Sequence, residues 1–126
     1  MMAGQKGEKI LFGKIQILRM REDGQVSEEH LHPKGIERYL GGTPIRSVSI
    51  GGGLRLFFSA NAQISRSSER VAVLYGAAGQ VRARIYGNTL IGRLDRFGYT
   101  HTQDADIALA RWLVRVVRKE KRHADF

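Results

Sequence analysis

Between residues 44 and 94 the chain breaks into short apolar runs, each closed by glycine. PIRSVSI at 44–50 ends at Gly51-Gly52-Gly53, and LRLFFSA follows at 54–60. RVAVLY at 70–75 turns through GAAGQ into QVRARIY at 80–86, and Gly87-Asn88 precedes TLIGRL at 89–94. Such runs are too short for ordinary helices. They are rich in β-branched and aromatic residues, and glycine supplies the positive φ of tight reversals. The pattern predicts an antiparallel meander. Fifteen glycines against two prolines fit many turns between short elements better than a proline-rich linker.

The flanks supply the remaining elements. EKILFGKIQILRMR at 8–21 alternates as a strand, with Ile15, Ile17 and Arg19 on one side and Lys14, Gln16 and Leu18 on the other. Glu22-Asp23-Gly24 is a turn. A helix is expected near 28–40, begun either at a Ser27 cap with Glu28 and Glu29 in its first turn or at Pro33. Ile36, Tyr39 and Leu40 share its apolar face, and Gly41-Gly42 ends it. A second, longer helix is expected after a Thr102 cap, with Asp104 and Asp106 at its start and Lys119, Lys121 and Arg122 at its end. On a helical wheel its apolar arc runs through Leu109, Ala110, Trp112, Leu113, Val114, Val116 and Val117. Trp112 and Leu113 then belong to the core. The fold class expected is α+β: an antiparallel sheet of about four to six short strands, the long C-terminal helix packed on one face, and the shorter helix near 28–40. Residues 1–126 read as one domain, with 1–7 and 121–126 mobile.

Charge is distributed unevenly. The net charge is +9, and Arg outnumbers Lys 15 to 6. The excess lies in residues 43–101, where Arg46, Arg55, Arg66, Arg70, Arg82, Arg84, Arg93 and Arg96 face only Glu69 and Asp95. Arginine presents a planar, permanently charged fork that suits phosphate and stacks on bases, so a basic, arginine-rich domain carries the electrostatic signature of a polyanion binder.

Several classes are excluded. Without cysteine there is no disulfide framework and no thiolate zinc site, which fits a reducing compartment. No run approaches the roughly 18 apolar residues of a membrane span, so a cytoplasmic protein without membrane contact is the default. The phosphate-loop, nucleophile-elbow and zinc-protease motifs are absent, and Gly51-Gly52-Gly53 precedes a strand, so no helix N-terminus meets a phosphate there. His30 and His32 lack zinc-helix spacing, and neither a metal nor an organic cofactor is expected.

The candidate binding residues follow from strand alternation. In QVRARIY, Arg82, Arg84 and Tyr86 point away from Val81, Ala83 and Ile85. In LRLFFSA, Arg55 and Phe57 oppose Leu54, Leu56 and Phe58. Phe57 either stands on that face as a base-stacking platform or is buried under the first helix. Arg93 adds charge from the last strand, and Arg111, Arg115, Arg118 and Arg122 form a stripe along the long helix. Arginines would track phosphates while aromatics stack unpaired bases. The function expected is non-enzymatic binding of nucleic acid, DNA or RNA undecided. The alternative is a regulator or inhibitor that docks on an acidic protein. A small enzyme using Asp95, Arg96, Tyr99, Thr100, His101 and Asp104 is the third reading. A homodimer through a sheet edge or a surplus apolar helix face is compatible with each.

Overall fold

The computed structural model describes residues 13–65 and 70–118. In chain order these form β1 (Ile15–Met20), β2 (Val26–Leu31), α1 (Pro33–Leu40), β3 (Ile45–Gly51), β4 (Leu54–Ser59), α2 (Ala60–Ser65), β5 (Arg70–Tyr75), β6 (Val81–Tyr86), β7 (Leu90–Asp95), β8 (Gly98–Thr100), α3 (Asp104–Leu113) and β9 (Val114–Arg118). The strands make two antiparallel sheets. One runs β2-β1-β7-β4-β3, with β8 added beside the end of β7, and the other is the three-stranded β6-β5-β9.

Alternation explains why the sheets stack. Leu18 and Met20 of β1, Leu54, Leu56 and Phe58 of β4 and Ile91 of β7 share a buried cluster with Ala72 and Leu74 of β5, Ile85 of β6 and Val114 and Val116 of β9. That cluster is the filling between the two sheets. The opposite face of the larger sheet, carrying Ile17, Phe57 and Leu90, is covered by Ile36 and Leu40 of α1. Ile17 and Leu18 are therefore neighbours in sequence and both buried, because both faces of β1 are covered. The layers run helix, sheet, sheet.

The α+β expectation of one sheet under a long C-terminal helix is overturned. The last helix stops at Leu113, and the backbone of Val114 is already extended at φ −134° and ψ 135°. Val114 and Val116 then pair with Leu74 and Ala72 of β5 and fill the space between the sheets. The physical reason starts in the local sequence and is completed by pairing with β5. Val114, Val116 and Val117 are β-branched, stiff in a helix and well suited to a pleated surface. VRVVR alternates at period two as well as forming an arc on the wheel, so β5 gains a partner that a continued helix would have denied it. The helix near 28–40 begins at Pro33, and Glu28 and Glu29 belong to β2, opposite Leu18 and Ile17. Ser27 accordingly caps nothing; its hydroxyl donates to Glu29 at 3.0 Å. Thr102 is not the cap of α3 either. It is buried, its hydroxyl donates to the carbonyl of Gln16 at 3.2 Å, and Gln103 occupies the cap position. The readings for residues 1–7, Arg66, Glu69, Lys119 and 121–126 lie outside the described residues. Among the described residues no helix is long and apolar enough to cross a membrane.

Candidate nucleic-acid interface

The three-stranded sheet turns Ala72, Leu74, Ile85, Val114 and Val116 toward the core, so the intervening residues form its outer face. Register sets them in rows. Val73 lies between Arg84 and Arg115, and Val71 lies between Tyr86 and Val117. Tyr75 ends the central strand on the same side. Val71 and Val73 are only 5% and 6% exposed and belong to neither core cluster. Both valines are nonetheless buried, so what this face exposes is the flanking Arg84, Arg115 and Val117, with Tyr75 and Tyr86 half-buried beside them. Residues 70–86 and 107–118 contain no Asp or Glu, so no carboxylate on these strands offsets the charge.

The end of β6 is held in place by α2. The side-chain amide of Gln63 donates to the Tyr86 carbonyl at 2.7 Å and accepts from the Tyr86 N–H at 2.8 Å. It acts as a short piece of neighbouring strand, satisfying both backbone groups of an edge residue. Tyr86 itself is half-buried.

The arginines divide into engaged and free groups. Arg19 donates to Glu29 at 3.0 Å, and Arg21 lies 3.8 Å from Asp23. Glu22 receives both Arg70, at 3.4 Å, and Arg118, at 3.6 Å. Arg93 grips Asp106 with two bonds of 2.8 and 2.6 Å. Those bonds, helped by the Gln103 N–H, hold the Asp106 carboxyl below its usual range, and the same partner raises Arg93. Gly53, at φ +82°, leaves the space that the Arg93 guanidinium fills; a Cβ there would lie 2.5 Å from its Nη1. By contrast, Arg84 and Arg115 are exposed and make no ion pair or hydrogen bond among the described residues.

The residues singled out in the sequence are therefore not one surface. Arg84, Tyr86 and Arg115 come together on the outer face, and Arg111 stands at its margin, donating to the neutral Gln25 amide at 3.3 Å. Arg82 reaches the Ser49 carbonyl at 3.3 Å, at the edge of the larger sheet. Arg55 lies within the larger sheet and donates to Ser47 at 2.7 Å. Arg93 is committed to Asp106. Phe57 is not a platform: it is 3% exposed, under α1, and meets Tyr99 edge to face at 5.2 Å. The helical stripe does not exist as such. Arg111 is on α3, while Arg115 and Arg118 are on β9, where a separation of three puts them on opposite faces; Arg122 lies outside the described residues.

The third reading fares differently again. Residues 95–104 form a hairpin and the start of α3. The Asp95 carboxylate accepts from the Phe97 N–H at 2.7 Å, Arg96 lies over the Phe97 ring, and His101 Nδ1 accepts from the Gln16 N–H at 2.9 Å. These side chains serve the local turn and the junction with β1.

Two residues of the outer face were missed. Tyr75 was legible from RVAVLY, whose period places it with Val71 and Val73. Trp112, which the helical wheel places in a core arc, is 72% exposed. The signal lay in VRVVR, which ends the helix one residue after Trp112 and removes the surface the arc would have packed on. Comparison of the chain with protein-family models, curated proteins and solved structures finds no match.

Proposed function

We propose that the chain binds nucleic acid, in a cytoplasmic setting, on the outer face of the three-stranded sheet, with no chemistry performed there. One observation supports this reading above the others: Arg84 and Arg115 stand exposed, and unpaired among the described residues, on either side of Val73, on strands free of carboxylates. An arginine with a carboxylate beside it has spent its charge within the fold. Two without one, about 10 Å apart across two strand spacings, present forks to an external polyanion. Tyr86 adds an aromatic edge to the same surface.

The Arg84→Ala/Arg115→Ala double variant tests it. Binding of a nucleic acid, followed by anisotropy across a salt series, should weaken, and the slope of log K against log salt should become shallower by about two units, one per lost phosphate contact. Arg38→Ala, on α1 behind the other sheet, should leave the slope unchanged. An unaltered slope in the double variant, or no binding at about 50 mM salt, where electrostatic attraction is strong, removes the proposal. The competing reading, docking on an acidic protein, is favoured if the double variant loses a protein partner while nucleic-acid affinity stays the same.

A further inference from the structure

At one end of the outer face, where α3 passes into β9 beside the β5–β6 turn, lies a cleft of about 320 Å³ lined by Tyr75, Gly79, Arg111, Trp112, Val114 and Arg115. Its makeup is unusual for a protein surface. Trp112 is 72% exposed and its ring makes no aromatic or cation contact among the described residues. An indole left in water is a large apolar face without a partner. Beside it, among the described residues, Arg115 is unpaired and Arg111 meets only a neutral amide. Val114 lines the floor of the cleft, while its side chain belongs to the core between the sheets. The rim on the hairpin side is a tight turn, closed by Gly76 N–H to Gln80 at 2.8 Å and Gly79 N–H to Gly76 at 2.9 Å, with Ala77 and Ala78 at the tip. Gly79 adopts φ +85°, and nothing lies within 4 Å of where its Cβ would be. Small residues thus leave the way to the indole open.

From this we infer that the cleft takes one unpaired nucleobase, stacked on Trp112 with Tyr75 at its side, while Arg111 and Arg115 hold the adjoining phosphate. The inference rests on the nucleic-acid reading above and adds to it the preferred ligand, a single strand. Each part of the cleft selects against another occupant. Two arginines without a carboxylate reject a cationic ligand and favour an anion. A flat aromatic surface gives an isolated phosphate nothing, whereas every base has a π-face to lay on it. A paired base is already stacked between its neighbours and would have to be extruded first. The volume sits at the low end of the roughly 300–1,000 Å³ of small-molecule sites, which suits one nucleotide and not a larger ligand.

Trp112 is the only tryptophan of the chain, so intrinsic fluorescence reports on the cleft directly. The full chain is titrated with a short oligothymidylate, a duplex hairpin of matched charge closed by a non-nucleotide linker, and inorganic polyphosphate. The oligothymidylate should quench Trp112 saturably and the other two should not. Trp112→Ala should weaken oligothymidylate binding by about ten- to a hundredfold with an unchanged salt slope, and leave the hairpin's affinity alone. Trp112→Phe should keep most of the affinity, and neither variant should move the thermal midpoint, because the side chain is exposed. If the oligothymidylate binds by anisotropy but leaves the fluorescence and the Trp112→Ala affinity unchanged, the base cleft is overturned and the arginine surface stands. Equal quenching by polyphosphate, or equal loss on the hairpin, overturns it too. Absence of binding to all three probes removes both the cleft and the surface.

Discussion

Phe57→Ala should destabilise the protein by about 3–5 kcal/mol, while the folded fraction keeps its affinity for nucleic acid. The side chain is sealed between the larger sheet and α1, among Ile17, Ile36, Leu40 and Leu90. Its ring also forms the edge-to-face pair with Tyr99, at an interplanar angle of 63°. Truncation removes the buried ring and leaves a cavity that a helix resting on a sheet cannot fully close. Chemical denaturation followed by circular dichroism reads the loss. A change below about 1 kcal/mol, more typical of a surface substitution, would show that Phe57 is not buried. The same measurement on Trp112→Ala should find little: helix periodicity places Trp112 in the core wrongly, and of the two places strand alternation leaves open for Phe57 the buried one is found. Burial of Tyr99 beside Phe57, with Glu37 nearby, also holds its phenol above the ordinary range.

These two aromatics show what local sequence can and cannot encode. The glycine-bounded runs from 44 to 94 correspond to β3, β4, β5, β6 and β7, because turn chemistry and β-branched composition act over a few residues. Alternation correctly separates Arg55 and Phe57 from Leu54, Leu56 and Phe58. It cannot say what lies over each side. For Phe57 the answer depends on α1, which docks from elsewhere in the chain. For Val114 to Val117 it depends on β5, some forty positions earlier, whose second edge turns an ambiguous segment into a strand. The hydrophobic period at 107–118 fits a helix and, over its last part, a strand; tertiary pairing decides.

The arginines illustrate the same limit in electrostatic form. Composition shows an excess of positive charge and where along the chain it lies. Which guanidinium is neutralised is a property of the fold: Glu22, in the β1–β2 turn, takes Arg70 and Arg118 from two strands of the other sheet. Among the described residues Arg84 and Arg115 stay free, and the strands that carry them contain no acid. The proposed surface is thus defined as much by where Glu22, Glu29 and Asp106 are placed as by the arginines themselves.

Arg93 and Asp106 make the strongest such pairing, and the second large effect belongs to them. Asp106 is 4% exposed at the side chain and Arg93 is 28% exposed. Asp106 also accepts from the Gln103 N–H at 2.8 Å, so one carboxylate joins β7 to the start of α3. Arg93→Ala leaves that carboxylate buried beside a single backbone donor and should destabilise the fold by about 3 kcal/mol. The pH dependence has a definite sign. The folded-state pKa of Asp106 is depressed, so the unfolded chain binds this proton more readily than the folded one does. The contribution is fully present above the unfolded value near 4 and is lost as pH falls through the lower folded value. Asp106→Asn should therefore be less stable than the parent at neutral pH and show a smaller further loss on acidification. Urea midpoints of both proteins at neutral pH and near pH 3, below the ordinary carboxylate range, measure the difference. Parallel pH profiles would mean that Asp106 is not held ionised by Arg93. If Arg93→Ala also leaves the urea midpoint unchanged, the joint between β7 and α3 is made by apolar packing alone, through Ala110 and Ile91 of the inter-sheet cluster.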